Sequence, residues 1–248
     1  MAKVVLVTGA SRGIGAATAL LAAQQGWAVA VNYLANSLAA DEVVRQIRAA
    51  GGTAMAVQAD VAQHAQVLRM FEAVDAKLGR LDGLVNNAGV VDVPSRVDAM
   101  PIERLERMWA TNVTSSFVCA GQAVLRMSTL YGGAGGSIVN LSSAAARLGS
   151  PGQYVDYAAS KAAIDAFTVG LAKEVAAEGI RVNAVRPGII KTEIHASGGL
   201  PHRADQLAPQ VPMQRPGTAD EVAHAIVWLL SGASSYTTGA VLDVTGGR

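Results

Sequence analysis

Short apolar, β-branched runs recur along the chain at residues 4–7, 28–31, 54–57, 83–86, 137–141, 181–185 and 240–244. Between them lie amphipathic or Ala-rich stretches near 13–25, 36–50, 63–78, 101–130, 157–178 and 218–231. Regular strand-helix alternation predicts an α/β fold, with a parallel seven-stranded sheet wound in both directions and crossover helices on both faces. Val4-Val5-Leu6-Val7 is apolar at consecutive positions, as a strand covered on both sides requires. The alternation runs on without a linker-like break, so a single domain over 1–248 is expected. Ligands of such sheets bind beyond the carboxyl ends of the strands, and chemistry is expected just after each apolar run.

Two irregular segments interrupt the pattern. The five residues from Gly132 to Gly136 look like a phosphate cradle but precede a strand, so no helix dipole stands behind their N–H groups; they read as a turn. Residues 193–213 contain Gly198-Gly199, Pro201, Pro209 and Pro212 and show little periodicity. That profile predicts a lid at about 192–214 that selects the substrate.

The first strand is followed by Thr8-Gly9-Ala10-Ser11-Arg12-Gly13-Ile14-Gly15, which opens an Ala/Leu-rich helix. Strand, glycine turn and helix N-terminus together form a dinucleotide site of the Rossmann kind, where free N–H groups and the helix dipole face the pyrophosphate. A bare glycine-rich turn would look similar, so the rest of the chain must agree. Tyr157 and Lys161, four apart at a helix start, project from one face. An ammonium beside a phenol favours phenolate and suits the pair to proton exchange with a carbonyl or alcohol. Ser142-Ser143 ends the strand at 137–141, where a hydroxyl can hold a substrate oxygen. Alone, these residues would also pass for an exposed amphipathic pair and a helix cap.

Composition narrows the class. Hydrophobic residues make up 51% and charged residues 16%, with a net charge of +1 and no basic block, which argues against nucleic-acid binding. The single cysteine, Cys119, lies in an apolar helical run and reads as inert packing, in keeping with a reducing, cytoplasmic setting. No apolar stretch is long enough for a membrane span, and the N-terminal apolar run is too short for a signal peptide. His64, His195, His202 and His224 lack metal-ligand spacing, so no metal is expected; His195 and His202 fall in the lid, within reach of a substrate.

With these motifs in order, the chain resembles the short-chain dehydrogenase/reductase family over nearly its whole length, with likeness to its bacterial sugar- and ketoacyl-reductase-like members. Thr8 to Gly15 matches the cofactor loop, including Gly9, Ser11, Arg12, Gly13, Ile14 and Gly15. Asp60-Val61 matches the adenine-contacting pair, and Asn87-Ala88-Gly89, after Asn86, the N-N-A-G strand end. Asn112, Ser143, Tyr157 and Lys161 match the catalytic tetrad, while Pro187-Gly188 with Ile190 and Thr192 matches the segment that holds the nicotinamide. One departure concerns spacing: many members carry the serine thirteen positions before the tyrosine, where this chain has Ala144. One extra residue in the 147–154 loop accounts for it, leaving Ser142 as the fallback.

The resemblance implies an oxidoreductase in which Tyr157 is general acid and base, Ser143 polarises the substrate oxygen and Lys161 lowers the tyrosine pKa and binds the nicotinamide ribose. Asn112 would hold a water linking Lys161 to solvent. It also implies a homotetramer, consistent with helices at 101–130 and 157–178 that are apolar nearly all round. Charge points to NADP(H): the second strand ends Val31-Asn32-Tyr33 without the acidic residue that favours NAD, and Arg12 can meet a 2′-phosphate, with Asn32 beside it. The expected reaction interconverts a carbonyl and a secondary alcohol on a small soluble sugar, polyol or ketoacyl-like substrate. A non-catalytic NADP-binding sensor or scaffold is the competing reading, but it has no use for Tyr157 beside Lys161.

Overall fold

The computed structural model describes residues 2–194 and 198–248. Strands β1 (Val4–Val7), β2 (Ala28–Tyr33), β3 (Ala54–Gln58), β4 (Leu81–Asn86), β5 (Gly136–Leu141), β6 (Ile180–Pro187) and β7 (Val241–Val244) form one sheet in the order β3-β2-β1-β4-β5-β6-β7. All neighbours are parallel. The order reverses between β1 and β4, and at that switch point a crevice opens at the carboxyl edge.

Alternate strand residues feed two cores. Val4, Leu6, Leu84, Ile138 and Val182 pack against α3 (His64–Leu78), α5 (Ser115–Met127) and α7 (Val155–Val175), burying Phe71, Ala123 and Val175. Val5, Val7, Val85, Val139 and Val185 face the other way, toward α1 (Gly13–Gln24), α2 (Ser37–Ala49) and the helix Ala219–Leu230. Cys119 belongs to the first core, where burial pushes its thiol up to about 12 and removes it from nucleophilic chemistry.

The helix expected over 101–130 departs from the pattern. It begins as α4 (Ile102–Trp109), passes through a π-helical turn, Ala110–Thr114, and resumes as α5 before a 3-10 turn, Thr129–Tyr131. The wider turn inserts one residue and turns Asn112 inward, the usual signature of a functional π-bulge. Two short helices were absent from the pattern, α6 (Ala145–Leu148) and one at Arg203–Leu207. The glycine run at 132–136 is a turn with a steric reason: a Cβ at Gly133 would lie 1.9 Å from the Met127 carbonyl oxygen.

The segment expected as a lid is partly ordered by its own packing, since Ala204 and Val211 are buried. His195 lies outside the described residues, and His202 is exposed. Among the described residues no helix is long and apolar enough to cross a membrane, and no group of three His, Cys, Asp or Glu is placed to hold a metal.

Candidate active site

The loop after β1 is held from below by two asparagines. Asn32 accepts the Gly9 N–H at 3.1 Å and donates to the carbonyls of Val57 (3.3 Å) and Ala59 (3.1 Å). Asn87 donates to the carbonyls of Thr8 (2.8 Å) and Gly9 (3.1 Å), and the Thr8 hydroxyl accepts the N–H groups of Asn87 and Ala88, each at 3.0 Å. Asn32 is buried and its side-chain amide bonds backbone groups, so it braces the loop from below.

Close packing dictates the third glycine: a Cβ at Gly15 would come within 2.6 Å of the Gly9 carbonyl oxygen and 2.5 Å of Asn87 Nδ2. Helix α1 starts without a side-chain cap and without an acidic residue in its first turn. N–H groups and a positive dipole end at that start fit a pyrophosphate, with the Glu193 carboxylate 3.7 Å from where a Gly13 Cβ would stand. Arg12 stands exposed at the N-cap position. Asp60 and Val61 follow β3 at the same edge; an Asp60 carboxylate oxygen accepts the Ala62 N–H at 2.9 Å.

Across the switch point, one cleft of about 190 Å³ is lined by Ile14, Asn87, Gly89, Ser143, Tyr157, Lys161, Pro187, Gly188, Ile190 and Thr192. Residues from the glycine loop, three strand ends and α7 thus meet as the motifs anticipated. Ser143 and Tyr157 line this cleft together, and the Ser143 Oγ accepts the Ala145 N–H at 3.1 Å, so it serves as a cap as well. Ser142, also at the cleft wall, is buried, its hydroxyl donating to the Lys161 carbonyl at 3.1 Å. The two serines are thereby separated: Ser143 faces the tyrosine, while Ser142 anchors α7 to β5.

Lys161 Nζ lies 5.7 Å from the Tyr157 ring centroid and donates to the Leu141 carbonyl at 2.7 Å. Burial pushes its ammonium down to about 8, with Asp165 one turn on pulling the other way. Burial likewise raises the Tyr157 phenol, against the hydrogen bond from Ser143. Burial thus acts on both groups in the same sense, disfavouring the charged form of each. A phenol that keeps its proton is the form a general acid needs.

Asn112 sits behind these groups. Its Oδ1 accepts the Val90 N–H at 2.8 Å, and its Nδ2 donates to the Val90 carbonyl (3.0 Å) and to Ser160 Oγ (3.2 Å). Its side chain therefore ties the β4 exit to α7.

The charge pattern gave no sign of a second brace. Arg104 Nε and Nη2 reach Asp156 at 2.7 and 3.0 Å, and Nη1 donates to the Val93 carbonyl at 2.6 Å. The side chains are 3% and 1% exposed, so this bidentate pair is buried beside Tyr157 and fixes the start of α7. The one local signal in the chain was an Asp immediately before the tyrosine.

A glycine-loop anion site facing a Ser-Tyr-Lys cluster at a parallel-sheet switch point is the layout of a dinucleotide-dependent oxidoreductase. Comparison with known proteins gives the family. The model described as Enoyl-(Acyl carrier protein) reductase matches residues 9–248. The chain is 57% identical over 245 residues to the uncharacterized oxidoreductase YgfF of Escherichia coli, covering 99% of each. It is 41% identical over 247 residues to the 3-oxoacyl-acyl-carrier-protein reductase of Synechocystis, covering 99% of this chain and 96% of that one. A short-chain dehydrogenase/reductase structure from Serratia marcescens superposes with a TM-score of 0.90 at 35% identity, over 99% of this chain and 97% of that one. The chain belongs to the short-chain dehydrogenase/reductase family and is an oxidoreductase of that family.

Proposed function

We propose that this protein is an NADP(H)-dependent oxidoreductase that interconverts a carbonyl and a secondary alcohol on a small soluble substrate, within one domain whose lid spans about 192–214. The observation that carries this reading is the convergence of Ser143, Tyr157 and Lys161 on one cleft, which Ile14 at the uncapped N-terminus of α1 also lines.

Gly9, Ser11, Gly13, Ile14 and Gly15 would hold the pyrophosphate, with Asp60 and Val61 toward the adenine. Ala88, Gly89, Pro187, Gly188, Ile190 and Thr192 would hold the nicotinamide half. Arg12 would meet the 2′-phosphate, since Asn32 is committed elsewhere and β2 ends without a carboxylate. A bound nicotinamide supplies or accepts the hydride.

The protein's own share is position and proton. Ser143 donates a hydrogen bond to the substrate oxygen, and Tyr157 gives that oxygen its proton in reduction or takes it back in oxidation. Lys161, four residues on, stabilises the phenolate left behind, and Asn112 keeps the floor beneath Lys161 in register. Relatives named 3-oxoacyl-acyl-carrier-protein reductase support a ketoacyl-like substrate. The exposed apolar side chains Trp109 and Phe117 on the outer helices support assembly into a homotetramer.

A panel of carbonyls and secondary alcohols, followed by NADPH oxidation or NADP reduction, tests the assignment. Turnover of at least one class with NADPH is expected. Binding of NADPH with no turnover across the panel would favour a sensor.

A further inference from the structure

The reading of this cleft as the substrate site leaves one of its residues without a role. Arg203, first residue of the short helix Arg203–Leu207, lines the same cleft as Ser143 and Tyr157. Its guanidinium lies 5.1 Å from the Tyr154 ring centroid, and Nη2 donates to Gln153 Oε1 at 2.7 Å. Both partners are neutral, and among the described residues no carboxylate pairs with it.

Arg48, Arg80 and Arg181 are likewise bonded to neutral groups, but none of them lines the cleft. Arg104, Arg107, Arg126, Arg147, Arg186 and Arg215 each pair with an acidic side chain. Among the described residues that line the cleft there is no Asp or Glu, while Lys161, Arg203 and Arg248 are all present. A half-enclosed cleft lined by cationic side chains and no acidic one focuses a positive potential on whatever enters it.

Position separates Arg203 from the cofactor's phosphates. The uncapped start of α1 and the glycine loop belong to the β1 side of the switch point. Arg203 packs instead on Gln153 and Tyr154, immediately before α7, at the end of the cleft that also holds Leu148 and Ser150. Val91, Leu148, Ile189 and Ile194 give the remaining wall an apolar character. A single planar guanidinium steadied by a ring face and one amide matches a carboxylate, which it can grip through two parallel N–H bonds.

We propose that the substrate is a small oxo-acid or hydroxy-acid, its carboxylate held by Arg203 while its carbonyl or hydroxyl oxygen meets Ser143 and Tyr157. This rests on the oxidoreductase reading of the same cleft. It makes Arg203 the specificity-determining residue and the short helix that carries it the selective part of the lid.

Matched pairs differing only in the charge test it: levulinate against its methyl ester, and acetoacetate against methyl acetoacetate, each with NADPH. Wild type should favour the acid over the ester by about tenfold or more in kcat/KM. Arg203→Gln should abolish that preference while leaving the ester within about threefold and NADPH affinity unchanged, and Arg203→Lys should restore part of it. Equal use of acid and ester by the wild type, or an equal loss on both in Arg203→Gln, overturns the proposal. Equilibrium titration of levulinate into the NADPH-bound protein gives a readout free of turnover. Arg203-dependent binding of levulinate without turnover of any panel member would sustain the anion site and overturn the catalytic reading of the cleft; absence of that binding overturns the anion site itself.

Discussion

Around Gly9 the site keeps its shape through backbone groups held by Asn32, Asn87 and Thr8, all of them neutral. Around Tyr157 it keeps its shape through charge: Lys161 on the Leu141 carbonyl, Arg104 buried against Asp156, Arg203 over Tyr154. Neutral braces suit a surface that must receive a polyanion, because they fix the loop without adding a charge of their own beside the helix dipole. Buried charge suits the reacting edge, where a proton must be held out of water and released to one oxygen. Damage on the two sides should therefore differ: the charged side loses stability and chemistry, the neutral side loses cofactor.

The largest effect is expected at Arg104. Arg104→Met leaves the Asp156 carboxylate buried without its partner, which costs about 3–5 kcal/mol and lowers Tm by at least about 6 °C. Adding Asp156→Leu should recover most of that loss, while NADPH affinity, set across the cleft, stays within about threefold. Calorimetry of the single and double variants checks this, and a single variant within about 2 °C of wild type would contradict it.

Arg12 sharpens the comparison from the neutral side. A charge-assisted contact to a 2′-phosphate is worth about 1.5–3 kcal/mol, so NADPH should exceed NADH by roughly tenfold to a hundredfold in kcat/KM. Arg12→Ala should remove much of that margin and leave NADH use nearly unchanged. Equal use of both cofactors by the wild type would sink the charge argument; a preference that survives Arg12→Ala would move its cause to Tyr33 or Asn36.

Next in size is the serine pair. Ser143→Ala should lower kcat/KM by about tenfold or more, because the hydroxyl that faces Tyr157 is gone. Ser142→Ala should act chiefly on stability through its bond to α7, costing about 1 kcal/mol. Initial rates decide the order, and the reverse ranking would reassign the substrate contact.

Lys161 supplies the smallest and most diagnostic shift. Its folded pKa, about 8, lies below the ordinary lysine value, so between about pH 8 and 10.5 the unfolded chain holds a proton that the folded one has released. Stability from this group thus rises with pH across that window, and at pH 7 its charge is a cost. Lys161→Met, which is expected to be inactive, should gain about 1 kcal/mol at pH 7 after allowing for the lost bond to Leu141, and the gain should vanish by pH 10. A pH-independent difference in Tm would contradict the sign.

Most of this division was legible in the chain. All seven strands fall where apolar runs stand, because a doubly covered sheet leaves an unbroken hydrophobic record. Tyr157, Lys161, Ser143 and the glycine loop converge because strand ends and helix starts share one edge. Periodicity hid the π turn at Asn112, since one inserted residue leaves the apolar pattern of α4 and α5 nearly continuous. The helices Ala145–Leu148 and Arg203–Leu207 span too few turns to show a period. Pairing of Arg104 with Asp156 joins residues 52 apart, and nothing local distinguishes a buried arginine from a solvated one. The bracing role of Asn32 was hidden for a related reason: a polar strand end looks the same whether it meets a ligand or the neighbouring backbone.

The most direct test measures both sides of the cleft on one sample of Tyr157→Phe, which loses a single oxygen. NADPH affinity, read by fluorescence titration, should remain within about threefold of wild type, while the single-turnover rate with a competent carbonyl substrate falls by at least about a hundredfold. Retention of more than about a tenth of the wild-type rate would show that the proton comes from another group and would contradict the account.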